Sequence, residues 1–269
     1  MFFPKLIVTD LDGTALKNDK TISDRTIQAF SRCEQMGIPV AIATARYIYG
    51  ARPYAEALHA RYQILTDGTL IYEHEKCIYS NCMDLHTTRA LVRLVFEHKL
   101  TTHIAIPTEH GLYRYPKDPS VTHDYILFSP EEPFPYPANK MVVEIPTEGI
   151  AKEIAEKCGC AQLRYRGEDR YTFFDHSASK LSAIRFLTQK LHITLEDVLV
   201  FGDDLNDMEM ITHCGYGVAM KNALPQVQAA ANATTLSNEE DGVAVYLNTL
   251  LSGILLQTQK NYAGLHINR

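Results

Sequence analysis

Residues 6–9, Leu-Ile-Val-Thr, form a short apolar run, and Asp10, Asp12, Gly13 and Thr14 follow almost at once. A run of this length bounded by a turn signal reads as a buried strand, here delivering two carboxylates into a turn opened by Gly13. Ligands of open α/β sheets bind where a strand ends and its turn begins. If the backbone stays extended, side chains two apart share a face, so Asp10 and Asp12 point the same way. Two neighbouring like charges then ask for a metal ion or a shared proton between them. An ordinary Asp-Gly turn, with no chemistry, accounts for Asp12 and Gly13 equally well in isolation.

The pattern after this strand is alternating. Ser23 caps a helix that runs to Met36 with Ile27, Phe30 and Cys33 on one stripe and Gly37 as its stop. Residues 40–44, Val-Ala-Ile-Ala-Thr, are nearly continuous in apolar and small side chains, as a strand buried on both faces must be. Strand, helix, strand in this order predicts a parallel crossover, with Thr44 beside Asp10 at one sheet edge. A helix at 51–60, a strand at 63–65, an Asp67-Gly68 turn and a strand at 70–72 follow. Between residues 82 and 175 eight prolines divide the chain into short pieces: strands at 103–106, 111–115, 140–145, 162–166 and 171–174, and helices at 84–99 and 148–157. Strands without regular helical alternation indicate an α+β unit rather than more parallel sheet. The expected organisation is therefore α/β, a Rossmann-like parallel-sheet core from 1–81 and 176–269 with an inserted α+β cap domain at 82–175. In the resumed core, a helix spans 180–191 and a buried strand 198–201. Further on come a strand at 216–219 and helices at 224–231 and 242–251; if Asn206 begins a helix, its amides and positive dipole end help stabilise the nearby carboxylates.

The ends of these strands carry a set of motifs. Asp10-Leu11-Asp12-Gly13-Thr14, then Thr44 closing the second strand, Lys180 near a helix start and Gly202-Asp203-Asp204-Leu205-Asn206-Asp207 after a fourth apolar run together resemble the haloacid-dehalogenase-like hydrolases. Residues 218–223 and 238–244 further resemble the Cof-like branch of that family. The resemblance implies a phosphatase that uses Mg²⁺, held by Asp10, Asp203 and the backbone carbonyl of Asp12. It implies Asp10 as nucleophile through an aspartyl-phosphate, and Asp12 as the acid and base that protonates the leaving alkoxide and then activates water. Lys180, the Thr44 hydroxyl and backbone amides from Leu11 onward would hold the transferring oxygens, and Asn206 would contact phosphate. Asp207 would orient metal-bound water and pair with Lys180, and Arg46 is a substrate candidate. The implied substrate is a small phosphomonoester such as a sugar phosphate, with a phosphomutase or a non-hydrolytic phosphate-binding module as the alternatives. Three positions depart from the family pattern: Ala45 for Gly, Asp67 for Asn and Lys221 for Gly. Residues 163–171 offer arginines and tyrosines suited to a sugar or nucleotide, or equally a solvated strand pair.

Composition sets bounds on partners. A chain of 269 residues, 46% hydrophobic, can bury a sizeable core in two domains. A net charge of −6 gives no electrostatic footprint for nucleic acid or an anionic membrane. The apolar stretch at 243–255 is interrupted by Tyr246, Asn248, Thr249 and Ser252 and is expected to pack on the core rather than span a bilayer. Six scattered cysteines and no leader-like N-terminal segment make a reducing cytosol the default compartment, with Cys158 and Cys160 as packing residues. No histidine pair has metal-binding helical spacing.

Overall fold

The computed structural model describes residues 2–266. In chain order its elements are β1 (Leu6–Thr9), α1 (Asp24–Gln35), β2 (Val40–Ala43), α2 (Ile48–Ala57), β3 (Tyr62–Leu65), β4 (Leu70–Glu73) and β5 (Lys76–Ser80). Then come α3 (Leu85–Glu97), β6 (Ile104–Thr108), β7 (Gly111–Tyr115), β8 (Ile126–Leu127), β9 (Met141–Glu144), α4 (Glu148–Cys158), β10 (Ala161–Arg164) and β11 (Arg170–Phe174). The chain closes with α5 (Lys180–Leu191), β12 (Val198–Gly202), α6 (Met208–His213), β13 (Tyr216–Ala219), α7 (Pro225–Ala230), β14 (Ala233–Thr234) and α8 (Gly242–His266).

Contacts divide the chain into two compact units. The first comprises residues 1–44, 51–64 and 184–269, and the second residues 45–50 and 65–183. The second unit thus begins earlier and ends later than the insertion at 82–175 expected from composition, because the turn after β3, the β4–β5 hairpin and the start of α5 pack with it.

The first unit is built on a parallel sheet. β1 lies between β12 and β2, with Leu6 opposite Val198 and Ile7 opposite Val40, and β13, β14 and β3 extend the sheet in parallel register. All four residues of β1 are fully buried, which explains why its sequence does not alternate. Each buried aliphatic side chain contributes about 1.5–3 kcal/mol by leaving water. Helix α1 begins as expected: the Ser23 side chain accepts the Thr26 amide, and Gly37 at φ +75° ends it. Its buried face is Thr26, Ala29, Phe30 and Cys33, so Ile27 is a flank residue rather than part of the stripe.

The second unit is α+β. Its six-stranded sheet has the order β10-β11-β9-β6-β7-β8, antiparallel except for the β7–β8 pair. Leu91 and Val95 of α3 and Ala151 and Ile154 of α4 share one apolar core with Ile104, Ile106, Val143 and Phe173 of this sheet. The α/β architecture with a Rossmann-like parallel core is thus the fold of the chain. No helix among the described residues is long and apolar enough to cross a membrane. The six cysteines are free, and burial pushes the thiols of Cys33, Cys160 and Cys214 up to about 12, which suits packing and not nucleophilic work.

Candidate active site

β1 stops at Thr9, and the chain turns immediately. The Thr14 and Leu16 amides both donate to the Leu11 carbonyl, and Gly13 sits at φ +79°. The extended geometry that would align Asp10 with Asp12 therefore does not persist, and the two carboxylates occupy different surroundings. Asp10 is 5% exposed, whereas the Asp12 side chain is 38% exposed and meets the Lys20 ammonium at 2.8 Å. Lys20 comes from a tight turn in which its amide donates to the Lys17 carbonyl.

Asp10 finds its partners in the turn that follows β12. Carboxylate oxygens of Asp10, Asp203 and Asp207 lie within 4.8 Å of one another, and all three residues are buried. Parallel pairing of β1 with β12 produces this meeting, since Asp10 follows the strand whose Thr9 is level with Phe201. The Asp10 amide donates to the Phe201 carbonyl, continuing the ladder one step past the strand end. The other contacts fix the acids: Thr14 Oγ1 donates to Asp203 Oδ1 at 2.9 Å, and the amides of Asp203 and Asp204 donate to Asp207 Oδ2 at 2.9 and 3.2 Å. Three buried carboxylates this close repel one another, and a cation between them would offset that repulsion. Hard oxygen donors on backbone fixed at two strand ends fit a divalent cation of the Mg²⁺ class, which needs few carboxylates.

The turn after β12 differs from expectation. The helix does not open at Asn206: Leu205–Asp207 form a 3-10 turn capped by the Asp204 side chain, and α6 begins at Met208. Asp204 is thus a capping residue, and Asp207 spends its carboxylate on amides behind Asp203. Thr44 stands one residue past β2, 1% exposed, with its amide donating to the Ile64 carbonyl. It follows the strand neighbouring β1, at the same end as Asp10. Lys180 belongs to the second unit, where it is the first residue of α5 and 1% exposed; Ser179 caps that helix by accepting the Ser182 amide. Arg46 turns its guanidinium back on the Gly50 carbonyl at 3.0 Å.

Two participants were not singled out from sequence. Lys20 is the partner of Asp12. Asn222 donates to the Gly13 carbonyl at 2.7 Å and accepts the Asn238 amide at 3.0 Å, tying the first turn to two later loops. Its motif was visible, but nothing in an Asn between a Lys and an Ala reveals a partner some 200 residues earlier.

A family model described as haloacid dehalogenase-like hydrolase matches residues 7–247. The chain belongs to this family. Within it, the Cof-like resemblance holds, and the protein is an enzyme of hydrolase type. A curated relative is 5-amino-6-(5-phospho-D-ribitylamino)uracil phosphatase YcsE of Bacillus subtilis, 29% identical over 245 residues, covering 89% of this chain and 93% of that protein. YitU of the same organism, named for the same phosphatase activity, is 26% identical, with 93% and 98% covered. Among solved structures, the HAD subclass IIB sugar phosphatase BT4131 superposes with a TM-score of 0.80 at 23% identity, covering 91% of this chain and 98% of the other. A haloacid dehalogenase-like hydrolase from Bacteroides thetaiotaomicron gives a TM-score of 0.77 at 23% identity, with 92% and 99% covered.

Proposed function

We propose that this Cof-like haloacid dehalogenase-like hydrolase is a Mg²⁺-dependent phosphatase that hydrolyses a small phosphomonoester, of the sugar or polyol phosphate kind, through a phosphorylated Asp10. The observation that carries the reading is the buried convergence of Asp10, Asp203 and Asp207 at the end of the parallel sheet. The names of the ribitylaminouracil phosphatases YcsE and YitU support the substrate class.

A phosphate monoester dianion repels an anionic nucleophile, so charge compensation and alignment carry most of the rate. The ion would be held by Asp10, Asp203 and the carbonyl of Asp12, and when bound it supplies positive charge that offsets the acids and the incoming phosphate. One oxygen of Asp10 attacks phosphorus while the bond to the ester oxygen breaks. Asp12 gives its proton to the departing alkoxide, then takes one from the water that opens the acyl phosphate, which regenerates Asp10 and releases inorganic phosphate. The half-exposed position of Asp12 suits a group that exchanges protons with both leaving group and water. The Thr44 hydroxyl, the Lys180 ammonium and the amides from Leu11 onward would donate to the transferring oxygens, with Asn206 as a further phosphate contact and Arg46 toward the leaving group. Asp207, held by two backbone amides, would keep Asp203 and its surroundings aligned and pair with Lys180.

Release of phosphate from p-nitrophenyl phosphate, with and without chelator, tests the reading. Activity should vanish with EDTA and return with Mg²⁺. Asp10→Asn should fall by about 10³-fold or more, as loss of a nucleophile does. Hydrolysis that survives the substitution, or needs no divalent ion, overturns it. A screen of phosphorylated metabolites that yields isomerised product instead of free phosphate would identify a mutase.

A further inference from the structure

Within the second unit, a lysine is buried among three acceptors. Lys140, just before β9 and 2% exposed, donates to Asp67 Oδ2 at 2.8 Å, to the Ala45 carbonyl at 2.7 Å and to the Tyr165 hydroxyl at 2.7 Å. Tyr165 in turn donates to Asp67 Oδ2 at 3.2 Å, which closes a triangle. An ammonium has three protons, and here each has its acceptor. Lys140 thus has no proton to spare for a substrate oxygen, although a lysine in this family invites that role. Asp67 is itself 3% exposed, and a buried pair of this kind persists only when both charges and their remaining hydrogen-bonding capacity are satisfied.

What the triangle holds is more telling than the triangle itself. Asp67 belongs to a turn, Thr66-Asp67-Gly68, in which all three residues have positive φ: 50°, 60° and 94°. Thr66 and Asp67 both carry a Cβ in the left-handed region, so the turn requires contacts that impose it. The Lys140–Asp67 bond is such a contact, and the Thr66 amide donating to the Arg46 carbonyl is another. The turn presses on the first residues of α5: a Cβ at Gly68 would stand 2.2 Å from the Ser179 carbonyl oxygen and 2.7 Å from the Lys180 nitrogen. On its other side Lys140 grips Ala45, the residue after Thr44. One ammonium therefore holds both Ala45, covalently next to Thr44, and the turn whose Gly68 abuts Ser179 and Lys180.

We propose that Lys140, with Asp67 and Tyr165, is a positioning residue for phosphate binding, setting the backbone that carries Lys180 and Thr44 without touching the substrate. This rests on the roles given to those two residues under the proposed function. The fully paired ion also accounts for the Asp at position 67: a neutral Asn there would leave the buried ammonium without an opposite charge.

The test uses the full-length enzyme, inorganic phosphate as competitive inhibitor of p-nitrophenyl phosphate hydrolysis, and a Mg²⁺ titration of activity. Small displacements of positioning groups cost one to two powers of ten, so Lys140→Met should raise the inhibition constant for phosphate by about tenfold and Tyr165→Phe by about threefold. The Mg²⁺ midpoint should stay within about twofold of wild type, because Asp10, Asp203 and Asp207 are fixed by hydrogen bonds of the first unit. The uncharged, hydrogen-bonding pair Asp67→Asn with Lys140→Gln should recover most of the phosphate affinity. A folded Lys140→Met enzyme with unchanged phosphate inhibition overturns the inference, as does a phosphate effect matched by an equal shift in the Mg²⁺ midpoint, which would mean general loosening. If Lys140→Met does not fold, Tyr165→Phe decides, and unchanged inhibition there overturns it. A wild-type protein that neither releases phosphate nor binds the inorganic ion defeats the proposed function and this inference together. A wild type that does both, with the variants inert, defeats this inference alone.

Discussion

A methyl group added at Gly13 would stand 2.5 Å from Asp203 Oδ2, on backbone whose φ of +79° already disfavours any side chain. Gly13→Ala should therefore displace the Asp203 carboxylate or open the turn. We expect activity to fall by about 100-fold and the Mg²⁺ requirement to rise, read from a titration of hydrolysis against the ion. At Lys140 burial works against the charge, but Asp67 and Tyr165 outweigh it and hold the ammonium above its usual 10.5; burial likewise pushes the Tyr165 hydroxyl up to about 12. Both folded values lie above the unfolded ones, so their stabilisation is complete below about pH 10 and is lost as pH rises through the folded values, which for Tyr165 is about 12. Urea midpoints measured from pH 9 upward should fall, and fall less steeply in Tyr165→Phe. A lone lysine ahead of an apolar strand carries no sign that it will be buried. Its partners are 73 and 25 residues away, which is why this triangle was invisible in the sequence while Asp10 and Asp203, each in a local motif, were not.

Elements were legible where a pattern was long and well bounded. Helix α1 keeps its Ser23 cap and Gly37 stop, and α5 and β13 fall on the residues that periodicity assigned. Short or tertiary-dependent pieces were not: β5 pairs with β4 across a tight turn, β14 has two residues, and both exist by virtue of their neighbours. The helix assigned to Asn206 begins two residues later because Asp204 and Asp207 form a reciprocal cap around a 3-10 turn, which competes with an immediate α-helical start. Asp204→Ala should cost about 1 kcal/mol of stability, the usual worth of such a cap, with the larger effect on kcat because Asp203 is the adjacent residue. Asn222 joins loops rather than capping a helix. Asn222→Ala removes a donor to the Gly13 carbonyl and an acceptor for the Asn238 amide, and we expect about 1–3 kcal/mol of destabilisation by thermal melting.

For the whole molecule, a cation held by the three clustered acids, as proposed, would offset their mutual repulsion. Saturating Mg²⁺ at about 100 times its dissociation constant should stabilise by about 2.7 kcal/mol, roughly 5–10 °C in melting temperature. Asp10→Asn should melt higher than wild type in EDTA and gain less from the ion. Calorimetry that finds no Mg²⁺-dependent shift would remove the metal site. A net charge of −6 alone could not have located this concentration of acid.

The strand order places β1 between β2, reached within 40 residues, and β12, whose register partner for Leu6 is Val198. A ribosome making this protein releases Leu6, in the strand ahead of the proposed nucleophile, long before Val198 of its second neighbour. Until then one flank of the founding strand lacks its native hydrogen-bonding mate, and Asp10 has no Asp203 to meet. Under the proposed mechanism catalytic competence thus waits for residue 203, and products that end before it should release no phosphate.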